Sequence, residues 1–194
     1  AWVSRVGLNY RWDNPRHAHA LSAQGAAHPC GPARFSGGYV GGNAGAIRHT
    51  ALSHDHPGAS IVHAAVSVAE RQRATGADLI SAVVVGYDVG VRVVQACGGL
   101  HFIKSKTGLN SDFMYAFGCA SAASKLLGLD PLRHCHAMAL ASFGSNSLAA
   151  FFAEKRHISK SLCNGMHASA GVTGALMAAG GLEGHEDILG APFG

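Results

Sequence analysis

Residues 111–143, SDFMYAFGCASAASKLLGLDPLRHCHAMALASF, decide the fold. Small and apolar residues fill the first half with no proline among them, which predicts a helix over about Ser111–Leu127 that stops at Gly128. Leu129-Asp130-Pro131 then reads as a compact joint. The Asp130 carboxylate can accept from the unpaired N–H groups of a new helix, and Pro131 suits the first helical position because it has no N–H to lose. The next helix runs to about Phe143. Helices joined by so short a turn lie antiparallel.

The same grammar extends outward in both directions. Ile61, Val62, Ala65, Val66 and Ala69 share one face of a helix expected over Ala59–Thr75, with Gly76 as its stop. Asp78 is expected to cap a helix from Leu79 to about Ala96, in which Gly86 and Gly90, four apart, would admit a close neighbour. Gly98–Asn110 reads as a loop, Leu148–Glu154 as a short segment, and Met166–Ala179 as a helix closed by Gly180-Gly181. No strand pattern alternates with these helices. The expected fold is all-α, an array of antiparallel helical hairpins. Residues 1–42, punctuated by Pro15, Pro29 and Pro32 and ending in Gly37, Gly38, Gly41 and Gly42, show neither helical nor strand period. They are expected to be an irregular Gly/Pro-rich segment ahead of a domain spanning 43–194.

Composition narrows the function. Charged residues are 13% of the chain, about half the usual share. So little charge suggests that part of the surface is covered, by a second copy in a homodimer or by a further domain. The net charge is +4, but no Lys/Arg run is longer than Lys155-Arg156, and aromatic residues are 7%. That pattern argues against nucleic acid and suits a pocket for a small anion. Apolar stretches are interrupted too often for a membrane span. The five cysteines form no CxxC pair and read as thiols. The first residues lack the cationic start and apolar run of a signal peptide, so a cytoplasmic protein is expected.

Three segments in order carry a resemblance. AIRHTALSHDHPGASIVHAAVSVAE (46–70) is similar to an H-A-L-D-F-D-D…H-P-G motif with its Ala-rich helix. FGCASAASKLLGLDP (117–131) is similar to F-G-A-A-A-A-A-x-K-L-L-G-L-D. SKSLCNGMHASAGVTGALMAAGGLEGHEDILGAPFG (159–194) is similar to T-K-x-L-H-x-G-x-A-A-x-x-G-x-x-A-A-L-L-A-x-x-G-F-x-G…I-L-E-G-x-x-G-F. With agreement of order and spacing over about residues 43–194, the chain resembles the MmgE/PrpD family, which includes 2-methylcitrate dehydratase, cis-aconitate decarboxylase and iminodisuccinate epimerase. The resemblance implies the larger, helical domain of a two-domain, dimeric fold, without the second domain, and a lyase that needs no cofactor. The implied substrates are small di- or tricarboxylates, with 2-methylcitrate dehydration ahead of cis-aconitate decarboxylation.

Carried over by position, the resemblance places Lys160 at the active-site lysine of T-K-x-L-H and His56 at the histidine of H-P-G. The first acidic position of the motif falls on Ser53, the second on Asp55. The histidine of K-x-L-H is Cys163, and a G-F-H loop falls near Gly108-Leu109-Asn110 without a histidine. Dehydration needs a base for a Cα proton, an acid for the leaving hydroxyl, and cations for the carboxylates. Lys160, His56 and Asp55 are the expected catalytic residues; Ser53, His49, Lys104 and His101 are expected to bind substrate. The bland readings are a solvated lysine, a turn-capping histidine and an Asx turn before Pro57. A rival metal site would draw on His49, His54, Asp55, His56 and His63, or on His134-Cys135-His136; without HExxH or Cys-pair spacing, no metal is expected. The alternative function is a degenerate family member that binds or assembles without catalysis.

Overall fold

The computed structural model describes residues 56–156 and 158–192. Six α-helices carry it: α1 (Gly58–Gln72), α2 (Gly76–Ala96), a short α3 (Gly99–Phe102), α4 (Tyr115–Leu126), α5 (Pro131–Ser142) and α6 (Ile158–Ala179). A π-helical turn, Ile103–Thr107, follows α3; a 3-10 turn, Ser111–Met114, leads into α4, and another, Ala149–Ala153, precedes α6. Among the described residues, pairing of β type is limited to one antiparallel bridge between Leu109 and Leu148. The all-α array read from the sequence is what the chain forms.

The centre of the array is α4, in which every residue from Tyr115 to Ser124 is buried. Its Ala, Ser, Gly and Cys side chains are small on every face, so neighbours can close in from all sides. Helices α1, α2, α5 and α6 all pack on it. The tightest crossings have no room for a side chain. A Cβ on Gly118 of α4 would lie 2.6 Å from the Gly86 carbonyl oxygen of α2. One on Gly171 of α6 would lie 2.4 Å from Cys119 Cβ and 2.6 Å from the Ala116 carbonyl oxygen. Around these contacts, Ile61, Ala64, Ala65, Ala82, Tyr115, Cys119 and Ala122 form one continuous apolar cluster.

Local chemistry explains where the helices start and stop. Asp130 caps α5 as expected, its carboxylate accepting from the Arg133 N–H at 2.9 Å with Pro131 in the first turn. The junction of α1 and α2 differs from expectation. The helix α1 ends at Arg73, which itself takes the left-handed conformation (φ 51°), and Gly76 opens α2 instead of closing α1. Thr75 is the cap: its hydroxyl accepts from the Asp78 N–H at 3.2 Å, and the Asp78 carboxylate accepts from the Thr75 N–H at 3.3 Å. This capping box satisfies two orphan N–H groups, whereas Asp78 alone would satisfy one. The expected loop 98–110 is partly helical, with the Ser105 and Thr107 hydroxyls donating to carbonyls four residues back.

The largest difference is α6. It begins at Ile158, eight residues before the expected start, so Lys160 lies in its first turn. Cys97, Cys119 and Cys163 are free thiols. Cys135 is disulfide-bonded, which corrects the reading of all five cysteines as thiols. No helix among the described residues is long and apolar enough to cross a membrane.

Candidate active site

The charges of two distant chain segments act on one carboxylate in a third. Asp112 lies in the 3-10 turn ahead of α4 and is 5% exposed. Burial pushes its carboxyl above the ordinary range, while a hydrogen bond with Asn110 and the charges of Lys160 and His56 pull it back. His56 stands exposed two residues before α1, and its carbonyl accepts from the Ala59 N–H in the first turn of that helix at 3.2 Å. Lys160 is half-buried in the first turn of α6, where the helix dipole adds its own positive potential. One further bond ties α1 to α6 nearby: the Ser60 hydroxyl donates to the Asn164 carbonyl at 3.1 Å.

A second group of side chains adjoins the first along α6. Cys163, one turn beyond Lys160, is the hub. Its sulfur accepts from Asn110 Nδ2 at 3.6 Å, its thiol donates to Ser147 Oγ at 3.5 Å, and both ring nitrogens of His167 lie 3.8 Å away. His167 is 1% exposed, and burial lowers its pKa to about 4, so its imidazole is neutral near pH 7. The single β bridge positions this group. The Asn110 N–H donates to the Ser147 carbonyl at 2.9 Å, and the Ala149 N–H to that of Gly108 at 2.8 Å. Asn110 also joins the two groups, because its Oδ1 accepts from the Asp112 N–H at 3.3 Å while its Nδ2 reaches Cys163.

The other expected site residues are distributed differently. His49, Ser53, His54 and Asp55 lie outside the described residues. Lys104 is placed over the Phe152 ring, 4.3 Å from its centroid, and His101 is exposed on α3. Among the described residues neither bonds to the Asp112 group. Lys155 and Arg156 are exposed. Of the rival metal site's histidines, three have separate partners: His63 Nδ1 donates to the Ala59 carbonyl, His134 Nε2 meets Ser121 Oγ, and His136 Nδ1 donates to the Gly184 carbonyl, each at 2.9 Å.

Sequence reading passed over Asp112, Asn110, Ser147 and His167. Two of these had a signal. Asp112 follows the Gly108-Leu109-Asn110 loop by two residues, and His167 stands four residues after Cys163, the spacing that puts two side chains on one helix face.

Comparison with known families completes the description. Residues 49–194 match the MmgE/PrpD N-terminal domain. The chain belongs to the MmgE/PrpD family. The match takes in α1 to α6 and every residue of the two adjoining groups. No curated protein matches the chain.

Proposed function

We propose that this MmgE/PrpD protein is a lyase for a small di- or tricarboxylate, 2-methylcitrate dehydratase-like first and cis-aconitate decarboxylase-like next, working without a cofactor. The observation that supports this most is a buried carboxyl, Asp112, on which Lys160 and His56, the two residues picked out by motif, both act electrostatically. Lys160 holds a substrate carboxylate and stabilises the negative charge that develops beside it as a Cα proton leaves. Asp112, whose proton affinity burial raises, takes that proton. His56 returns a proton to the departing hydroxyl, and Asp55 orients His56. Water leaves, and the electron pair of the broken C–H bond becomes the new C=C bond. Ser53, His49, Lys104 and His101 remain proposed contacts for the rest of the substrate.

The low charge and the exposed Ile80, Phe143, Leu148 and Leu162 support coverage by a second copy or by a further domain. A cytoplasmic homodimer is the proposed setting. A second reading, a degenerate family member that binds or assembles without turnover, draws on Ser53 at the first acidic position of the motif and on Cys163 where the resemblance expects a histidine. Ultraviolet absorbance of the conjugated double bond separates the two readings: it rises when 2-methylcitrate is dehydrated and falls when cis-aconitate is decarboxylated. The lyase reading expects turnover that Lys160→Ala removes. No turnover, or turnover indifferent to Lys160, sinks it.

A further inference from the structure

The proposed reaction uses Lys160, His56 and Asp112 and leaves the Cys163 group without a role. That group holds one thiol in a fixed place beside Lys160. Cys163 is a free, half-buried thiol. His167 is almost wholly enclosed, and its ring nitrogens face the Cys163 sulfur. Asn110 Nδ2 and Ser147 Oγ fix that sulfur from the opposite segment. Lys160 and Cys163, three apart on α6, project from one face with Cβ atoms roughly 5–6 Å apart. A carboxylate held by Lys160 therefore places the neighbouring carbons of a small acid beside the thiol.

We propose that Cys163 is a covalent modification site for α,β-unsaturated carboxylates, which its thiol captures by conjugate addition while Lys160 holds the acid. The inference rests on the anion-site reading of Lys160 given above. Ionised unsaturated acids are poor acceptors of a nucleophile, because their charge opposes the electron density arriving at the α-carbon. A cation against the carboxylate removes that opposition. In the addition, the thiol proton leaves to solvent along its hydrogen bond to Ser147 Oγ, and the sulfur electron pair forms a bond to the β-carbon. The π pair of the C=C bond moves to the α-carbon, which takes a proton back. The sum is S–H added across C=C, with nothing oxidised or reduced. A lyase that makes a conjugated acid would thus be silenced by its own product at Cys163.

The test uses fumarate, a dianionic acceptor, and dimethyl fumarate, its neutral diester, on the whole chain, with adducts mapped by peptide mass. Cys97 is an exposed free thiol whose pKa is raised by partial burial, so each cysteine's fumarate labelling is compared with its own dimethyl fumarate labelling. Buried Cys119, its thiol pushed up to about 12 by burial, is the unreactive control. The ratio of fumarate to dimethyl fumarate labelling rates is expected to be about tenfold higher at Cys163 than at Cys97, and Lys160→Gln is expected to cancel that difference. An equal ratio at the two cysteines, or one at Cys163 that Lys160→Gln does not change, overturns the proposal. No turnover is required. Protein that labels at Cys163 but leaves 2-methylcitrate unchanged upholds this site and refutes only the lyase; protein that turns over and stays unlabelled refutes only this site.

Discussion

Two glycines on α6 give a matched test of how that helix, and with it Lys160 and Cys163, is held in place. A Cβ built on Gly165 meets nothing within 4 Å, so Gly165→Ala changes little but the helix's intrinsic preference. That preference favours Ala by about 0.5–1 kcal/mol. Gly171 is different. Its Cβ would lie 2.4 Å from Cys119 Cβ, 2.6 Å from the Ala116 carbonyl oxygen and 2.7 Å from the Ala120 nitrogen. None of these is the end of a flexible side chain, so α6 and α4 must move apart as bodies. Overpacking costs about 1–3 kcal/mol, and three rigid contacts place this one at the upper end. Subtracting the helix gain leaves a net loss of about 2 kcal/mol for Gly171→Ala. For a domain of this size that lowers Tm by about 4–8 °C, while Gly165→Ala raises it by about 1–4 °C. Thermal unfolding followed by circular dichroism reads both. If Gly171→Ala proved as stable as Gly165→Ala, the close seating of α6 on α4 would be wrong.

Further predictions concern charge and capping. The Asp112 carboxyl is raised from 3.8 by burial, so the folded state holds its proton more tightly than the unfolded chain. Its contribution is best below 3.8 and is lost as pH rises through the raised value. Asp112→Asn should therefore stabilise the protein at pH 7, with the gain shrinking in acid; a gain equal at both pH values would contradict the assignment. His167 is the opposite case. Lowered from 6.5 to about 4, it leaves the unfolded chain binding more protons between those values, so stability falls as pH drops through that window. Denaturant titrations of His167→Gln should show a shallower fall there, and an unchanged slope would count against a neutral buried ring. Thr75→Ala removes the hydroxyl of the capping box and should cost about 1 kcal/mol, read as a drop of about 2–4 °C in Tm.

The residues that were easiest to read are those whose partners are close in sequence. Asp130-Pro131 announces α5 because the capping carboxylate and the N–H it accepts from, on Arg133, are three residues apart. The small residues of α4 announce a buried centre because burial on all sides leaves no polar face to mark. The start of α6 was hidden for the opposite reason. Its inward residues there are Lys160, Cys163 and His167, so the apolar period that marks a helix is missing where the helix faces a site. The candidate site was legible in part: Lys160 and His56 stand out by motif, and the charges of both act on Asp112. Asp112 itself resembles an ordinary acid at a helix start, and only the approach of two distant helices gives it neighbours. Arg73 in the left-handed conformation was equally hidden, since the turn geometry that demands it is set by how α2 docks.

The central claim is that Lys160 is the cation of a polycarboxylate site and that its exposed neighbours are not. Titration calorimetry with citrate tests this directly, using wild type, Lys160→Ala and Lys155→Ala. Saturable heat is predicted for wild type and Lys155→Ala and its loss for Lys160→Ala. Equal binding by all three, or binding that depends on Lys155 instead, would contradict it.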